Sequence, residues 1–371
     1  MASVERSRWM MMETSPGGEA APYSARIAGA GRCLPETHLS TEELMGSTRH
    51  RTGIDLERLT GIRERRVSQG EHDSLTLATS AAVDCLDSSG MTGADLDVVI
   101  NCSITKYRSG LVQWLEPTTS LAVAGAIGAS GAMTFDISNA CAGMLTGVFI
   151  LNNWVRTGAI HRGMVVSGEY ISQLGRNAAR HVRNVMSREL ASLTLGDAGA
   201  ALIVERAGTD GDAIRTAGFT TVADHSRLCL AYPAGRDPGA RMFTQSRALQ
   251  KAAIRDTPVL LREALEAAGL QMADIDHVIP HQTSARAIRK GMAEVTAALG
   301  GEPRHPAVAT VVKYGNTAST THTVALIEEM EAGRIAAGDN VALVALASGI
   351  VIGVILFRPG KDLVESRAHR H

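Results

Sequence analysis

The chain is written twice, and that constrains its fold more than any other feature. Ala94-Asp95-Leu96-Asp97-Val98-Val99-Ile100-Asn101-Cys102 matches Ala273-Asp274-Ile275-Asp276-His277-Val278-Ile279-Pro280-His281 at an offset of 179 residues. A helical pattern precedes each copy, over 78–88 and 258–268, and each closes on a glycine-containing turn. Further along, Cys141 lines up with Asn316 at an offset of 175, and each opens a helix-like stretch that ends in Gly158-Ala159-Ile160 or Gly333-Arg334-Ile335. An apolar strand pattern follows in both copies, over 163–168 and 340–346. A unit that repeats strand, helix and strand predicts two similar α/β halves packed on each other. The near-continuous apolar runs at 98–100, 164–166, 200–204 and 341–347 predict sheets covered on both faces. The stretches opening at Cys141 and Asn316 carry few charges in their first turns, which predicts helices buried between those sheets.

A length of 371 residues supports a large core, and 45% hydrophobic with 20% charged residues is an ordinary globular profile. The net charge of −1 gives no reason to expect nucleic acid or an anionic membrane as a partner. Residues 341–357 carry no charge, but their glycines and β-branched residues fit two buried strands with a tight turn better than a membrane span. The five cysteines are scattered without a CxxC pair, so neither a disulfide framework nor a metal site is indicated. The stretch around Met10-Met11-Met12 lacks the long apolar core of a signal peptide, which places the protein in the cytoplasm. The expected organisation is a flexible tail over 1–22, a first half over 23–210 carrying the nucleophile, a second half over 211–358 carrying the histidine and asparagine, and a flexible tail over 359–371.

Three positions carry the chemistry. Cys141 follows a short strand pattern and small residues, Ser138-Asn139-Ala140, at the start of an apolar helix. Unpaired N–H groups at such a helix start are expected to stabilise a thiolate and lower its pKa. His281 ends a buried strand in Val278-Ile279-Pro280-His281-Gln282-Thr283, and Asn316 follows a glycine in Tyr314-Gly315-Asn316-Thr317. A buried cysteine, a hydrogen-bonded core histidine and an asparagine helix cap would each be unremarkable alone. Together, in this order and within a duplication, they are specific.

This constellation resembles the thiolase superfamily, and within it the ketoacyl synthase III (3-oxoacyl-ACP synthase III) branch. The resemblance spans about residues 23–358 and includes Thr60-Gly61-Ile62-Arg63-Glu64-Arg65, Gly196-Asp197-Ala198-Gly199-Ala200 and Tyr314-Gly315-Asn316-Thr317. It implies the five-layer αβαβα thiolase-like fold, a homodimer, and a triad of Cys141, His281 and Asn316. In the implied chemistry, the Cys141 thiolate takes an acyl group from a thioester, while His281 and Asn316 stabilise the enolate of a second thioester for a Claisen condensation. The oxyanion donors are the backbone N–H groups of Cys141 and of Ser348 in Ala347-Ser348-Gly349. No cofactor is implied, because the substrates are themselves acyl-CoA or acyl-carrier-protein thioesters.

The resemblance also divides on which condensation occurs. A decarboxylating synthase makes its enolate by losing CO2, whereas a non-decarboxylating one needs a general base. Glu116, in Trp114-Leu115-Glu116-Pro117-Thr118-Thr119, stands where this branch sends a side chain across the dimer into the partner's acyl pocket. A glutamate at this site serves as base in the long-chain acyl-CoA condensing enzymes of bacterial olefin and β-lactone biosynthesis. The Leu59-to-Arg66 run and the Ala347-Ser348-Gly349 turn also look more like that group. Read from spacing alone, Glu116 is a carboxylate favoured at a helix start. The expected function is therefore a non-decarboxylative condensation giving a β-ketoacyl product; the alternative is a specialised-metabolism paralogue that decarboxylates or transfers an acyl group with a carrier-bound substrate. Asp55 falls where housekeeping relatives stack a tryptophan on CoA, and Ser284 replaces an asparagine; both departures from the family pattern permit a carrier-bound donor. Arg286 matches a basic residue that docks CoA or carrier protein. Arg176, Arg180 and Arg183 recur at helical spacing as a second cationic surface, or simply as a solvated face. Met144, Leu145, Met186 and Leu190 are the expected acyl-pocket residues. A papain-like Cys-His-Asn protease uses the same residue types but leaves the duplication unexplained.

Overall fold

The computed structural model describes residues 10–11, 21–208 and 211–368. The first half builds a five-stranded sheet from β1 (Ala25–Cys33), β2 (Val98–Asn101), β3 (Met133–Asp136), β4 (Arg162–Glu169) and β5 (Ala198–Arg206), in the order β1-β5-β4-β2-β3. The second half repeats the arrangement with β6 (Ile214–Thr221), β7 (His277–Pro280), β8 (Val341–Ala347) and β9 (Val351–Phe357), ordered β6-β9-β8-β7. The pairing directions also match, since β2 with β4 and β7 with β8 are parallel while the other corresponding pairs are antiparallel. The sheets differ at their edges. The first adds β3 beside β2, and the second adds Met10–Met11 on the far side of β6.

Helices fill three layers. On the outside, α1 (Ser74–Ser89) lies on the first sheet and α3 (Ser246–Ala268), with α4 (Ala285–Leu299) against it, lies on the second. Between the sheets run α2 (Gly143–Arg156) and α5 (Thr321–Glu331), whose apolar faces share one buried cluster with both sheets. Local chemistry supports these elements. Asp73 and Thr76 form a reciprocal cap at the start of α1, and Gly90 ends it in the left-handed conformation. Gly168 and Gly199 let α1 approach its sheet closely, since a Cβ would stand 1.9 Å and 2.0 Å from the Ser74 and Leu77 carbonyl oxygens. The charge-free run at 341–357 is two buried antiparallel strands joined at 348–350, and no helix among the described residues is long and apolar enough to cross a membrane.

Two expectations need correction, and a third falls largely outside the described residues. The C-terminal segment is not a loose tail: α6 (Lys361–Ala368) buries Leu363 in the central core and is pinned by Arg367. The N-terminal tail lies outside the described residues, apart from residues 21–22 and the Met10–Met11 strand. The pairing of Cys141 with Asn316 also shifts. Cys141 sits in a short turn, 140–142, whose counterpart is 318–320, and each turn has an alanine at positive φ, 45° at Ala140 and 52° at Ala318. These turns are offset by 178 residues, although α2 and α5 end in register at 175, because α2 has 14 residues and α5 has 11. The extra turn of helix lies at the nucleophile's end.

Candidate active site

The duplication converges on one cavity of about 1530 Å³, and Cys141, His281, Asn316 and Ser348 all line it. Its symmetry is visible in the backbone: the Cys102 amide donates to the Val166 carbonyl at 2.7 Å, as the His281 amide does to Val344 at 2.8 Å. Where the first half places a fully buried thiol, the second presents an imidazole to the cavity.

Each side chain is braced locally. Gln282, buried beside His281, donates to the Pro280 and Val308 carbonyls (2.8 and 2.9 Å) and accepts from the Val311 amide (3.0 Å). That ties the His281 loop to the segment leading into Asn316. The Asn316 backbone bridges to the first half, its amide donating to Thr194 O (2.8 Å) and its carbonyl accepting from Gly196 N (3.1 Å). Its side-chain oxygen accepts from the Ala318 amide at 2.9 Å, which leaves the NH2 group as the donor facing the cavity. Gly315 makes this turn possible with φ +67° and ψ −166°, a conformation that suits glycine.

The electrostatics depart from expectation at Cys141. Its thiol is pushed up rather than down, first by burial and then by the negative charge of Glu169. The nucleophile lies in the middle of a 3₁₀ turn, the α-helix begins only at Gly143, and the stabilising contribution of the local amide is outweighed. His281 is lowered to about 3 and His322 to about 4, both chiefly by burial, so both rings are neutral at physiological pH.

The remaining predicted residues divide. Ser284 and Arg286 line the cavity at the start of α4, and Ser284 also caps that helix by accepting from the Ala287 amide at 3.0 Å. Met186 and Leu190 line the cavity as expected, whereas Met144 and Leu145 are packed in the core between the sheets. Glu116 is exposed and faces no part of its own chain's cavity. It is not a helix-start carboxylate either, because Thr118 caps the helix that follows. Asp55 caps the short helix Leu56–Thr60 by accepting from the Arg58 amide. Arg176 donates to the Ser68 carbonyl, and Arg180 is ion-paired with Asp237. Two interior residues escaped the sequence reading, Glu169 and His322; each is a lone titratable group in an otherwise apolar or hydroxyl-bearing run.

Comparison with known proteins agrees with this architecture. The family model for 3-oxoacyl-[acyl-carrier-protein (ACP)] synthase III matches residues 135–223, and that for its C-terminal part matches residues 265–359. The beta-ketoacyl-[acyl-carrier-protein] synthase III 1 of Bacillus anthracis is 28% identical over 342 residues, covering 90% of this chain and 99% of its own. The crystal structure of 3-oxoacyl-[acyl-carrier-protein] synthase III from Aquifex aeolicus VF5 superposes with a TM-score of 0.76 at 26% identity, covering 90% of this chain and 99% of that one. A cysteine-to-serine variant of Xanthomonas campestris OleA, crystallised with lauric acid and lauroyl-CoA, shares the fold with a TM-score of 0.78 at 24% identity and covers 90% and 99%. The chain belongs to the thiolase superfamily, in its 3-oxoacyl-[acyl-carrier-protein] synthase III branch, and is a condensing acyltransferase.

Proposed function

We propose that the enzyme loads an acyl group on Cys141 and joins it to a second acyl thioester without decarboxylation, releasing a β-ketoacyl product. The observation that carries this reading is the convergence of Cys141, His281, Asn316 and Ser348 on one large, mostly apolar cavity. The Cys141 thiolate attacks the first thioester, and its own amide with that of Ser348 receives the oxyanion. Neutral His281 and the Asn316 amide then donate hydrogen bonds to the carbonyl of the second thioester, which favours its enolate. Histidine suits this task better as a neutral donor than as an acid, in keeping with its lowered pKa.

The base for the second half-reaction is Glu116 of the partner subunit in a homodimer. Supporting this, Glu116 sits on a loop with Trp114 exposed and Leu115 83% exposed, an apolar surface suited to being covered by a second copy. A cavity larger than the roughly 300–1,000 Å³ of ordinary ligand pockets suits long acyl chains, and the OleA structure with lauroyl-CoA provides a precedent in the same fold. Arg286 at the cavity's edge is the candidate contact for a CoA phosphate or an acidic carrier protein. The position of Glu116 outside its own chain's cavity also keeps open a decarboxylative condensation that needs no base.

The test is the intact mass of the protein after exposure to a panel of acyl-CoA and acyl-carrier thioesters, with products analysed with and without a malonyl thioester. An acyl adduct that is absent in Cys141→Ala, with β-ketoacyl product formed from acyl thioesters alone, is expected. Product only with the malonyl thioester selects the decarboxylative reading, and no adduct at Cys141 rejects both.

A further inference from the structure

The segment that carries Glu116 is clasped by one side chain, Arg108. Tyr107–Arg108 and Val112–Gln113 pair as a short antiparallel hairpin, with Tyr107 opposite Gln113 and Arg108 opposite Val112. Tyr107 and Gln113 line the cavity of their own chain, whereas Arg108 and Val112 do not. Successive residues of a strand point to opposite faces, so Arg108 leaves the hairpin on the side away from that cavity. There its Nη2 donates to the Pro117 carbonyl at 3.0 Å and to the Thr118 carbonyl at 3.4 Å, while Cζ stands 4.7 Å from the centre of the Trp114 ring. The guanidinium therefore grips the chain two residues before Glu116 and again just after it. Both ends of the segment are anchored as well. The Trp114 amide donates to the Lys106 carbonyl (3.0 Å), and Asp136 accepts from the Ser120 amide (2.9 Å) while pairing with the Lys106 ammonium (2.8 Å). Arg108 is only 8% exposed, its Nε makes no hydrogen bond, and among the described residues no carboxylate pairs with it. Burying a cation without a counter-charge is costly. What this one secures is the backbone on both sides of an exposed carboxylate.

We propose that Arg108 is a positioning residue for the condensation, fixing the backbone around Glu116 so that its carboxylate enters the partner subunit's cavity in one orientation. A general base must stand within hydrogen-bond reach of the proton it removes, and a carboxylate on an exposed loop meets that demand only if the loop is held. Arg108 touches no substrate and acts through Glu116. The inference rests on the reading of Glu116 as the base.

The test is a double-mutant cycle. Adduct formation on Cys141 and β-ketoacyl product formation are followed in the same sample, and the oligomeric state of each protein is measured by sedimentation at the assay concentration. Arg108→Met keeps an apolar stem and loses the guanidinium; it should lower product formation by about 10²-fold, with adduct formation and oligomeric state as in wild type. In a Glu116→Ala background the same substitution should lower product formation no further, because the group it positions is already gone. A purely structural role would slow adduct formation too, or would multiply with Glu116→Ala, and either result overturns the proposal. Unchanged product formation in Arg108→Met overturns it, and so does a changed oligomeric state, which would make Arg108 an assembly residue. Should Arg108→Met fail to fold, Arg108→Lys carries the same comparison, since it keeps the charge but loses the planar fork. Failure of the Glu116 reading shows separately, as a wild-type rate of product formation in Glu116→Ala alone.

Discussion

The rings of His281 and His322 lie 5.8 Å apart, inclined by 32°, and both residues hang on one carbonyl. The oxygen of Val344 accepts from the His281 amide at 2.8 Å and from His322 Nε2 at 3.1 Å. A carbonyl only accepts, so the His322 proton is on Nε2, and its buried Nδ1 is left without a hydrogen bond. Among the described residues no anion favours protonation of either ring, and burial lowers the proton affinity of both. Both histidines take up protons in the unfolded chain near pH 6.5 but in the folded chain only near about 3 and about 4. Their contribution to stability is therefore complete above about pH 6.5 and is lost as the pH falls toward the folded values. Thermal unfolding at about pH 5 should show a clearly lower midpoint than at about pH 7.5. His322→Gln, which removes one of the two groups, should shrink that gap, and an unchanged gap would count against this origin.

Glu116 offers a cleaner dissection of the two half-reactions. It touches nothing in its own cavity, so Glu116→Ala should leave the rate of acyl adduct formation on Cys141 unchanged. If it is the base for α-proton removal, product formation should fall by about 10²–10⁴-fold. Rapid-quench measurement of adduct and product in the same sample separates the effects. Equal product yield from wild type and variant would remove Glu116 from the mechanism and leave the decarboxylative route.

Gly315 sets the approach to Asn316, and the structure leaves no room for a side chain there. A Cβ would stand 2.7 Å from the Thr194 carbonyl oxygen, the atom that accepts the Asn316 amide. Its φ of +67° is itself unfavourable for an L-residue. Gly315→Ala should cost about 1–3 kcal/mol of stability, seen as a lower urea midpoint. Because the shift displaces Asn316, condensation should suffer more than loading of Cys141. A variant that loses both equally would point to general loosening instead.

Much of this was legible in the sequence because a duplication is read at the level of residue order. The repeat around Cys102 and His281 predicted paired strands, and the structure gives them matching hydrogen bonds to Val166 and Val344. The buried strands at 341–357 were equally plain from their unbroken apolar run. What the sequence hid was long-range electrostatics. Nothing in the order Ser138-Asn139-Ala140-Cys141 reveals that Glu169, 28 residues on, lies close enough to oppose the thiolate. The helix-start argument for a lowered thiol pKa was sound locally and lost to burial. Met144 and Leu145 were misplaced for a related reason: proximity in sequence to the nucleophile does not tell which face of α2 meets the cavity.

The C-terminal helix shows the same limit at the other end of the chain. Its charged composition, Lys361-Asp362-Leu363-Val364-Glu365-Ser366-Arg367-Ala368, reads as solvated tail, yet Arg367 is only 2% exposed. Its guanidinium donates to Asp84 on α1 (2.9 Å), to Glu331 on α5 (2.9 Å) and to the Ala30 carbonyl on β1 (3.2 Å), clasping three elements of the first half and the central layer. Arg32 adds a second cation to Glu331 and its amide donates to Asp84 at 2.8 Å, so neither carboxylate is stranded if Arg367 is lost. Breaking a buried pair from one side typically costs about 3–5 kcal/mol, and the residual partners here should hold Arg367→Ala to the lower part of that range. Arg367→Met, which retains the packing stem, should lose less than Arg367→Ala, since part of the contribution is contact area rather than charge. Equilibrium urea unfolding of the three proteins gives the comparison. Midpoints equal to wild type in both variants would mean that α6 docks through Leu363 alone.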